Sequence, residues 1–399
     1  MSRLSELIAE LCPDGVEYKS LNEIVVMRRG RGLSKKDKVD DGVAVILYGE
    51  LYTTYGNYIH EVTSRSAESV ARKSLCVNRG DLLLPITSTT AEALIGKASV
   101  LATDDEVFLG GDAVALTPTS ESLSAYLMYV INSAGFERWK MLCVSGTTIR
   151  HLNPKGLLKV TVPVPPIEVQ REIVRILDSF QELDDALTAE IEAREKQFEA
   201  YCDELLDERL KKICFNGVDY KALGDIEDEG LIKLGRGKVI SKKAIAATPG
   251  DYPIYSSAAT NEGLFGKYGK WMFDDTRITW SVDGGGKFFY RQGGRRYSVT
   301  NVCGWMQVTS EEIDVKYLYY ALSNEWSKKV FDYVHKAHPS VIREEYVLPL
   351  PSIEVQREIV HILDLFQEYI EALRSERNAR RSQFEYYRDR LMIFPEKVA

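Results

Sequence analysis

The chain is notable first for what is missing. No stretch of its 399 residues is long and apolar enough to span a bilayer, and its start has no signal-peptide pattern, so a cytoplasmic location and no membrane partner are expected. Histidine is scarce, at five, and the six cysteines (Cys12, Cys76, Cys143, Cys202, Cys214, Cys303) are scattered without a C-x-x-C pair. No metal-ligand spacing arises among them, so neither a metal site nor a disulfide framework is expected. Walker A, G-x-S-x-G and H-E-x-x-H sequences are all missing, and Gly284–Gly286 does not make a G-x-G-x-x-G.

A further absence organises the chain. After Pro165 and Pro166 there is no proline or glycine until Gly217, and after Pro351 none until Pro395. Both stretches open with nearly the same words, Ile167-Glu-Val-Gln-Arg-Glu-Ile-Val and Ile353-Glu-Val-Gln-Arg-Glu-Ile-Val. Aligned without gaps, Pro165–Leu206 and Pro351–Met392 are identical at 26 of 42 positions, which marks an internal repeat. Prolines suit a helix start, and apolar residues recur at steps of three and four. The expected seam runs through Ile173, Leu177, Phe180, Phe198 and Tyr201 in the first copy, and through Ile359, Leu363, Phe366, Phe384 and Tyr387 in the second. Each copy predicts a helix of about 45 residues, roughly 65 Å long, too long to stand alone.

The turn Cys12-Pro-Asp-Gly15-Val16-Glu-Tyr18-Lys19 also returns, as Cys214-Phe-Asn-Gly217-Val218-Asp-Tyr220-Lys221. The repeating unit is therefore helix end, turn, domain, long helix. Its boundaries read as an N-terminal helix over 1–16, a first domain over 17–164, the first long helix over 165–216, a second domain over 217–350 and the second long helix over 351–399. Strands are expected at Val43–Leu47, Asp81–Ile86, Ala113–Thr117 and Val160–Val164, and at Arg277–Val282, Lys287–Arg291 and Val302–Val308. Single helices are expected at Ser124–Leu142 and Val315–Val334. The fold class is thus α/β (α+β): two mixed domains and two long helices. A domain of about 130 residues is only some 35 Å across, which favours antiparallel helices with one domain at each end. The terminal helix then lies near Leu391 and completes a pseudo-two-fold.

The net charge of −8 argues at first against nucleic acid. Its distribution says otherwise. Pro165–Lys212 holds 7 basic against 14 acidic residues, while Leu21–Val164 holds 16 against 15 and Lys221–Leu350 holds 18 against 16. The acidity is on a helix, as a solvated face or a docking surface, and the domains carry local basic clusters. Arg28, Arg29, Arg31, Lys35 and Lys36 form one. Arg236, Lys238, Lys242 and Lys243 form another at a similar place in the second domain. A single cluster of this kind is as often a plain solvated loop; recurrence favours phosphate and base contacts. Further candidates are Ser88 and Thr89 in Thr87–Thr90, Thr147, Thr148 and Arg150, Lys287 beside the glycines 284–286, Arg295 and Arg296, and Ser340 and Arg343.

Enzyme motifs fail on inspection. Asn153-Pro154-Lys155-Gly156 lacks the second proline and the aromatic of an amino-methyltransferase motif. Pro13-Asp14 with Glu17-Tyr18-Lys19 is too tightly spaced for a nuclease, and the repeat puts Asn216 and Asp219 in place of its two acids. A chain without its own active site is expected.

The doubled Pro-x-Ile-Glu-Val-Gln-Arg-Glu-Ile-Val-x-Ile-Leu-Asp-x-Phe segment resembles the conserved regions of the specificity subunit of type I restriction–modification systems. The tails Gln197-Phe198-Glu199-Ala-Tyr201 and Gln383-Phe384-Glu385-Tyr-Tyr387, and the Gly-Val-x-Tyr-Lys turn, fit it too, so the resemblance covers the whole architecture. It implies that each domain is a target recognition domain reading one half of a bipartite double-stranded DNA sequence. It also implies that the helices set the gap and dock two methyltransferase subunits, with restriction and motor subunits beyond. S-adenosylmethionine, ATP and Mg would then belong to those partners, with no cofactor in this chain. The family's tetrapeptide repeat in the first helix is reduced here to Leu187-Thr-Ala-Glu190, which leaves the gap length open. The competing expectation is a coiled-coil scaffold whose domains bind protein or RNA.

Overall fold

A computed structural model describes residues 3–89, 94–119, 122–208, 218–257, 261–283, 285–331 and 335–397. Thr90, Gly284, the Cys214–Gly217 part of the repeated turn and the end of the expected first long helix lie outside the described residues. The chain divides into two compact units. One comprises the residues up to Leu187 together with those from Glu376 onward; the other is Thr188–Ser375. Each long helix, Ile167–Asp203 and Ile353–Leu391, contributes one segment to each unit.

In the first unit the chain turns after Cys12, where the Gly15 N–H donates to Cys12 O at 3.1 Å, and the repeated segment then continues as a strand. Glu17–Ser20 pairs antiparallel with Thr161–Val164, the strand that leads into the long helix. Between them are two five-stranded sheets. The first has the order Val25–Arg29, Ala113–Pro118, Leu82–Pro85, Ser99–Leu101, Tyr58–Ile59. The second runs Lys38–Val39, Arg65–Ser66, Val43–Ile46, Val107–Leu109, Leu75–Val77. Leu82, Leu84, Val114 and Leu116 from the first sheet share a core with Ile173 and Leu177 of the long helix. Leu4 of the terminal helix Arg3–Leu11 and Met392 join the same core, as the pseudo-two-fold requires. The helix expected over Ser124–Leu142 is two, Ser124–Ile131 and Ala134–Leu142. The break has a cause. The Asn132 side-chain amide exchanges two 2.9 Å hydrogen bonds with the backbone of Ala98, and Ser133 caps the second helix by accepting from the Phe136 N–H.

The second unit repeats the frame around a different domain. Asp219–Ala222 pairs antiparallel with Val347–Leu350. A four-stranded sheet has the order Ile232–Arg236, Cys303–Val308, Arg277–Ser281, Phe288–Arg291, and a three-stranded one Leu264–Tyr268, Tyr252–Tyr255, Ser298–Val299. The helix expected over Val315–Val334 stops at Ser327, and residues 332–334 lie outside the described set. Ile359 and Leu363 are buried in this unit's core with Phe198 and Tyr201 packed against it.

The helix segments run antiparallel within each unit. In the first, Phe180 meets Tyr387 and Phe384 with ring centroids 5.7 and 6.3 Å apart, and further along Asp184 takes a bidentate ion pair from Arg381 at 2.7 and 2.8 Å. In the second, Glu195 pairs with Arg374 and Tyr201 meets Phe366 at 4.9 Å. Partner numbers fall as helix numbers rise, as antiparallel packing demands.

The repeated words explain themselves here. Gln170 and Gln356 are buried side chains that join the start of a long helix to the start of a domain helix. Gln170 accepts from the Leu123 N–H at 2.9 Å and donates to Pro165 O at 2.8 Å. Gln356 accepts from the Asp314 N–H at 2.8 Å and donates to Glu312 O and Pro351 O at 3.0 and 2.9 Å. Two turns on, Asp178 accepts from the Tyr129 and Tyr58 hydroxyls at 2.6 and 2.8 Å. Asp364 accepts from the Tyr320 hydroxyl and the Lys316 ammonium at 2.6 and 2.7 Å. Burial, then the adjacent carboxylate, raises the Tyr129 and Tyr320 phenols far above their ordinary range, so both remain donors.

Gln356→Leu keeps a similar volume but removes the partner of the half-buried Asp314 N–H and of the Glu312 and Pro351 carbonyls. It should lower the stability of the second unit by about 2 kcal/mol, seen as a lower urea midpoint, whereas Glu368→Gln on the exposed face should leave the midpoint unchanged.

Candidate nucleic-acid interface

The two basic clusters occupy equivalent places. In the first domain the strand Val25–Arg29 ends at Gly30, whose N–H donates to Ala113 O at 3.0 Å. In the second the strand Ile232–Arg236 ends at Gly237, whose N–H donates to Cys303 O at 3.1 Å. Backbone from elsewhere in the domain presses on both. A Cβ at Gly30 would meet Gly110 O at 2.0 Å, and one at Gly237 would meet Val299 O at 2.1 Å, so no other residue fits either path. Each loop then enters a serine-started turn. Ser34 precedes Lys35–Asp37, its N–H and hydroxyl both donating to the Asp37 carboxylate at 2.7 Å. Ser241 accepts from the Ala244 N–H at 3.1 Å and begins the helix Lys242–Ala247. The first two residues of each turn are exposed lysines: Lys35 and Lys36, Lys242 and Lys243.

The first loop is braced along its length. The Gly111 N–H donates to Gly32 O at 2.9 Å and the Ser74 hydroxyl to Arg31 O. Leu33 is held at φ 45° and Asp112 at φ 59°, a left-handed conformation that a bulky residue adopts only when its surroundings impose it. Leu33, Lys35 and Asp112 line an open cleft of about 820 Å³ with Tyr48, Tyr52 and Thr89. On the cleft wall Glu50 accepts from the Leu47 N–H at 2.8 Å and pairs with Lys38 at 2.6 Å.

Ion pairing divides the candidates. Arg28 is already engaged: it forms an ion pair with Asp81, a carboxylate only 1% exposed, and also donates to Thr117 and Cys76 O. Arg343 is engaged by Glu227 and Asp228. Ser88 is fully buried in a strand beside Arg150, and Arg150 itself donates to the Met141 sulfur at 3.1 Å. Ser340 shares a 2.9 Å hydrogen bond with His338. Arg236 donates to Asn301 O at 2.7 Å. By contrast Arg29, Arg31, Lys35, Lys36, Lys238, Lys242, Lys243, Lys287, Arg295 and Arg296 are exposed and have no carboxylate in ion-pair distance among the described residues. Thr147 and Thr148 are also exposed, at the tip of the hairpin that joins Val144–Ser145 to Arg150–Leu152.

Sequence reasoning missed an arginine–aromatic cluster in the second domain. Arg277, 8% exposed, lies 3.8 Å from the Phe273 centroid and 4.6 Å from that of Trp305. Arg291, 6% exposed, lies 3.5 Å from Tyr255, and burial lowers its basicity. These two are closed in. At the surface Arg296 lies 3.9 Å over Trp271. The clue was the mixture of tyrosine, tryptophan and arginine over 252–305, which has no fixed spacing to detect. Burial pushes the Cys202 and Cys303 thiols up to about 12, away from nucleophilic use, and no cluster among the described residues suits a metal ion.

Comparison with known proteins gives a consistent result. The family model of the type I restriction modification DNA specificity domain matches residues 13–194 and again 219–380. A protein of Mycoplasma pneumoniae described as a type I specificity subunit is 32% identical over 238 residues, covering 58% of this chain and 92% of its own. The specificity subunit of that organism's type I restriction enzyme MpnII is 32% identical over 203 residues, covering 49% of this chain and 60% of its own. The fold is similar to the crystal structure of a type I restriction–modification S subunit from M. genitalium, with TM-score 0.55, 16% identity and 95% and 96% coverage. It is also similar to a chain from a structure addressing assembly and conformational transition of the type I system, with TM-score 0.64, 14% identity and 95% and 98% coverage.

Arg28→Met should cost about 3 kcal/mol, because it leaves the buried Asp81 carboxylate unpaired, and should lower the melting temperature of the first unit. Arg31→Met, three residues on, should leave that temperature unchanged.

Proposed function

Because the chain belongs to the type I restriction modification DNA specificity family, we propose that it is the non-catalytic DNA-reading subunit of such a system, each α/β domain reading one half of a bipartite duplex target. What carries this reading is that the family model aligns twice, each time taking in one domain and the start of one long helix. The unpaired cations support it. Lys35, Lys36, Lys242 and Lys243 face solvent in equivalent turns and suit phosphate oxygens, with no carboxylate partner among the described residues to give up on binding. Arg29 and Arg31 leave the same braced loop and suit base edges.

In this proposal the long helices set the distance between the half-sites and dock two methyltransferase subunits, and a motor subunit acts beyond them. S-adenosylmethionine, ATP and Mg belong to those partners. No helix among the described residues is long and apolar enough to cross a membrane, which agrees with a DNA-facing role.

Whole-genome modification sequencing tests this in a host without other adenine methylation that carries the chain and its neighbouring methyltransferase. A methylated motif in two parts with a fixed gap is expected; no modification from an assembled complex would refute the reading. Replacing Lys221–Leu350 by the corresponding domain of a relative should change one half-site only. Inserting four helix-compatible residues at Leu187 should change the gap and neither half. Removing Lys242 and Lys243 together should weaken all duplex sequences alike and reduce the slope of log K against log salt by about 2.

A further inference from the structure

Most surface arginines that meet an aromatic ring or a carboxylate in this chain are consumed by it. Arg296 differs. Its guanidinium lies 3.9 Å over the Trp271 ring and donates to the Tyr252 hydroxyl at 3.1 Å, and the two rings meet edge to face with centroids 5.1 Å apart. The group is therefore held in plane by stacking and fixed in rotation by a hydrogen bond. It is nevertheless exposed, as Trp271 is at 44%, and no carboxylate reaches it among the described residues. A guanidinium has five N–H donors and the tyrosine accepts from one, so on this exposed side chain four have no hydrogen-bond partner among the described residues. Arg295 and Lys270, both exposed, flank the pair.

The other candidate arginines lack this combination. Arg28 and Arg343 are tied to carboxylates, and Arg277 and Arg291 are buried against rings. Arg29, Arg31 and Arg295 are exposed, and no side-chain contact among the described residues orients them. A guanidinium that is displayed and oriented before binding loses little side-chain freedom when it binds, and a fixed fork discriminates by geometry where a mobile one contributes only charge.

Building on the proposed DNA-reading role, we propose that Arg296 is a specificity-determining residue of the second domain that reads one guanine through O6 and N7, with Trp271 and Tyr252 as its positioning residues. The two acceptors on the major-groove edge of guanine match two parallel N–H groups of one guanidinium. A phosphate would also accept from the fork, but it would not need one orientation fixed in advance. Lysine at this position keeps the charge and loses the fork and the stack.

The test compares Arg296→Lys, Trp271→Ala and the parent chain, each co-expressed with its methyltransferase and read by modification sequencing. The parent's two-part motif is the control for the underlying reading: without it the DNA-reading role fails, and with it only the assignment of Arg296 is at stake. Expected is that Arg296→Lys turns one G·C position of one half-site degenerate, losing about tenfold to hundredfold discrimination there, with the other half and the gap unchanged. Trp271→Ala should relax the same position more weakly. Uniform loss of methylation with an unaltered motif would show Arg296 to be a phosphate contact and overturn the proposal. So would relaxation in both halves, or an unchanged profile. If Arg296→Lys fails to accumulate, Arg296→Gln and Tyr252→Phe serve the same comparison.

Discussion

A glutamine amide can be buried only when its carbonyl and its N–H groups all find partners, and two such amides hold this protein's design together. Gln170 and Gln356 fix where each long helix starts against a domain helix. That fixed start sets everything further along. Asp178 and Asp364 each follow eight residues later, and Tyr129 and Tyr320 each stand six residues beyond the clamped N–H, at Leu123 and Asp314. A helix rises about 1.5 Å per residue, so a glutamine clamp set at the wrong place would carry the aspartate past its tyrosine. The same spacing in both units lets two unlike domains hang from one frame.

Electrostatics divide the basic residues by the cost of desolvation. Asp81 is buried and must have Arg28; Glu227 and Asp228 hold Arg343 where helix Pro339–Glu345 packs on Leu223–Asp228. These arginines are structural although they lie in the same sequence clusters as the exposed ones. Cations left unpaired at the surface gain little from the fold and repel one another, which is a small cost that a polyanion removes. The net charge of −8 hides this, because the excess of acids over bases falls on the first long helix while the domains are near balance.

Much of the frame was legible because it is periodic and written twice. The long helices follow from the 26 shared positions and from where prolines fall, their antiparallel sense from the size of the domain that joins them, and the strand Thr161–Val164 from its apolar run, whereas the matching strand Val347–Leu350 was not anticipated. What was not legible depends on single partners far apart in the chain. The break at Asn132 needs Ala98, and nothing in Ser124–Leu142 reports that contact. The recurring Tyr126-Leu-x-Tyr129 and Tyr317-Leu-x-Tyr320 are short enough to pass as ordinary core, though Tyr126 and Tyr317 donate to the equivalent carbonyls of Pro163 and Pro349. Arg28 and Arg29 are adjacent and chemically alike, and only alternation along a strand sends one toward Asp81 and the other to solvent. In the candidate site, recurrence pointed to two loops at equivalent places in the domains; which of their side chains are held in ion pairs depended on carboxylates tens of residues away.

The placement of the displayed residues has an evolutionary consequence that follows from physics alone. Residues such as Arg31, Lys36, Lys238 and Arg296 bury little surface and have no ion pair among the described residues, so exchanging them costs the fold little. Stability resides elsewhere, in the clamps and cores. The exposed surface of the loops is therefore free to vary while the frame is not. The loop paths are the exception. Gly30 and Gly237 face backbone oxygens that leave no room for a Cβ, so the residues on these loops can change while the course of the chain cannot. A fixed path with exchangeable side chains keeps each new residue at the same place on the surface, so under the proposed DNA-reading role sequence preference can change without a change of fold.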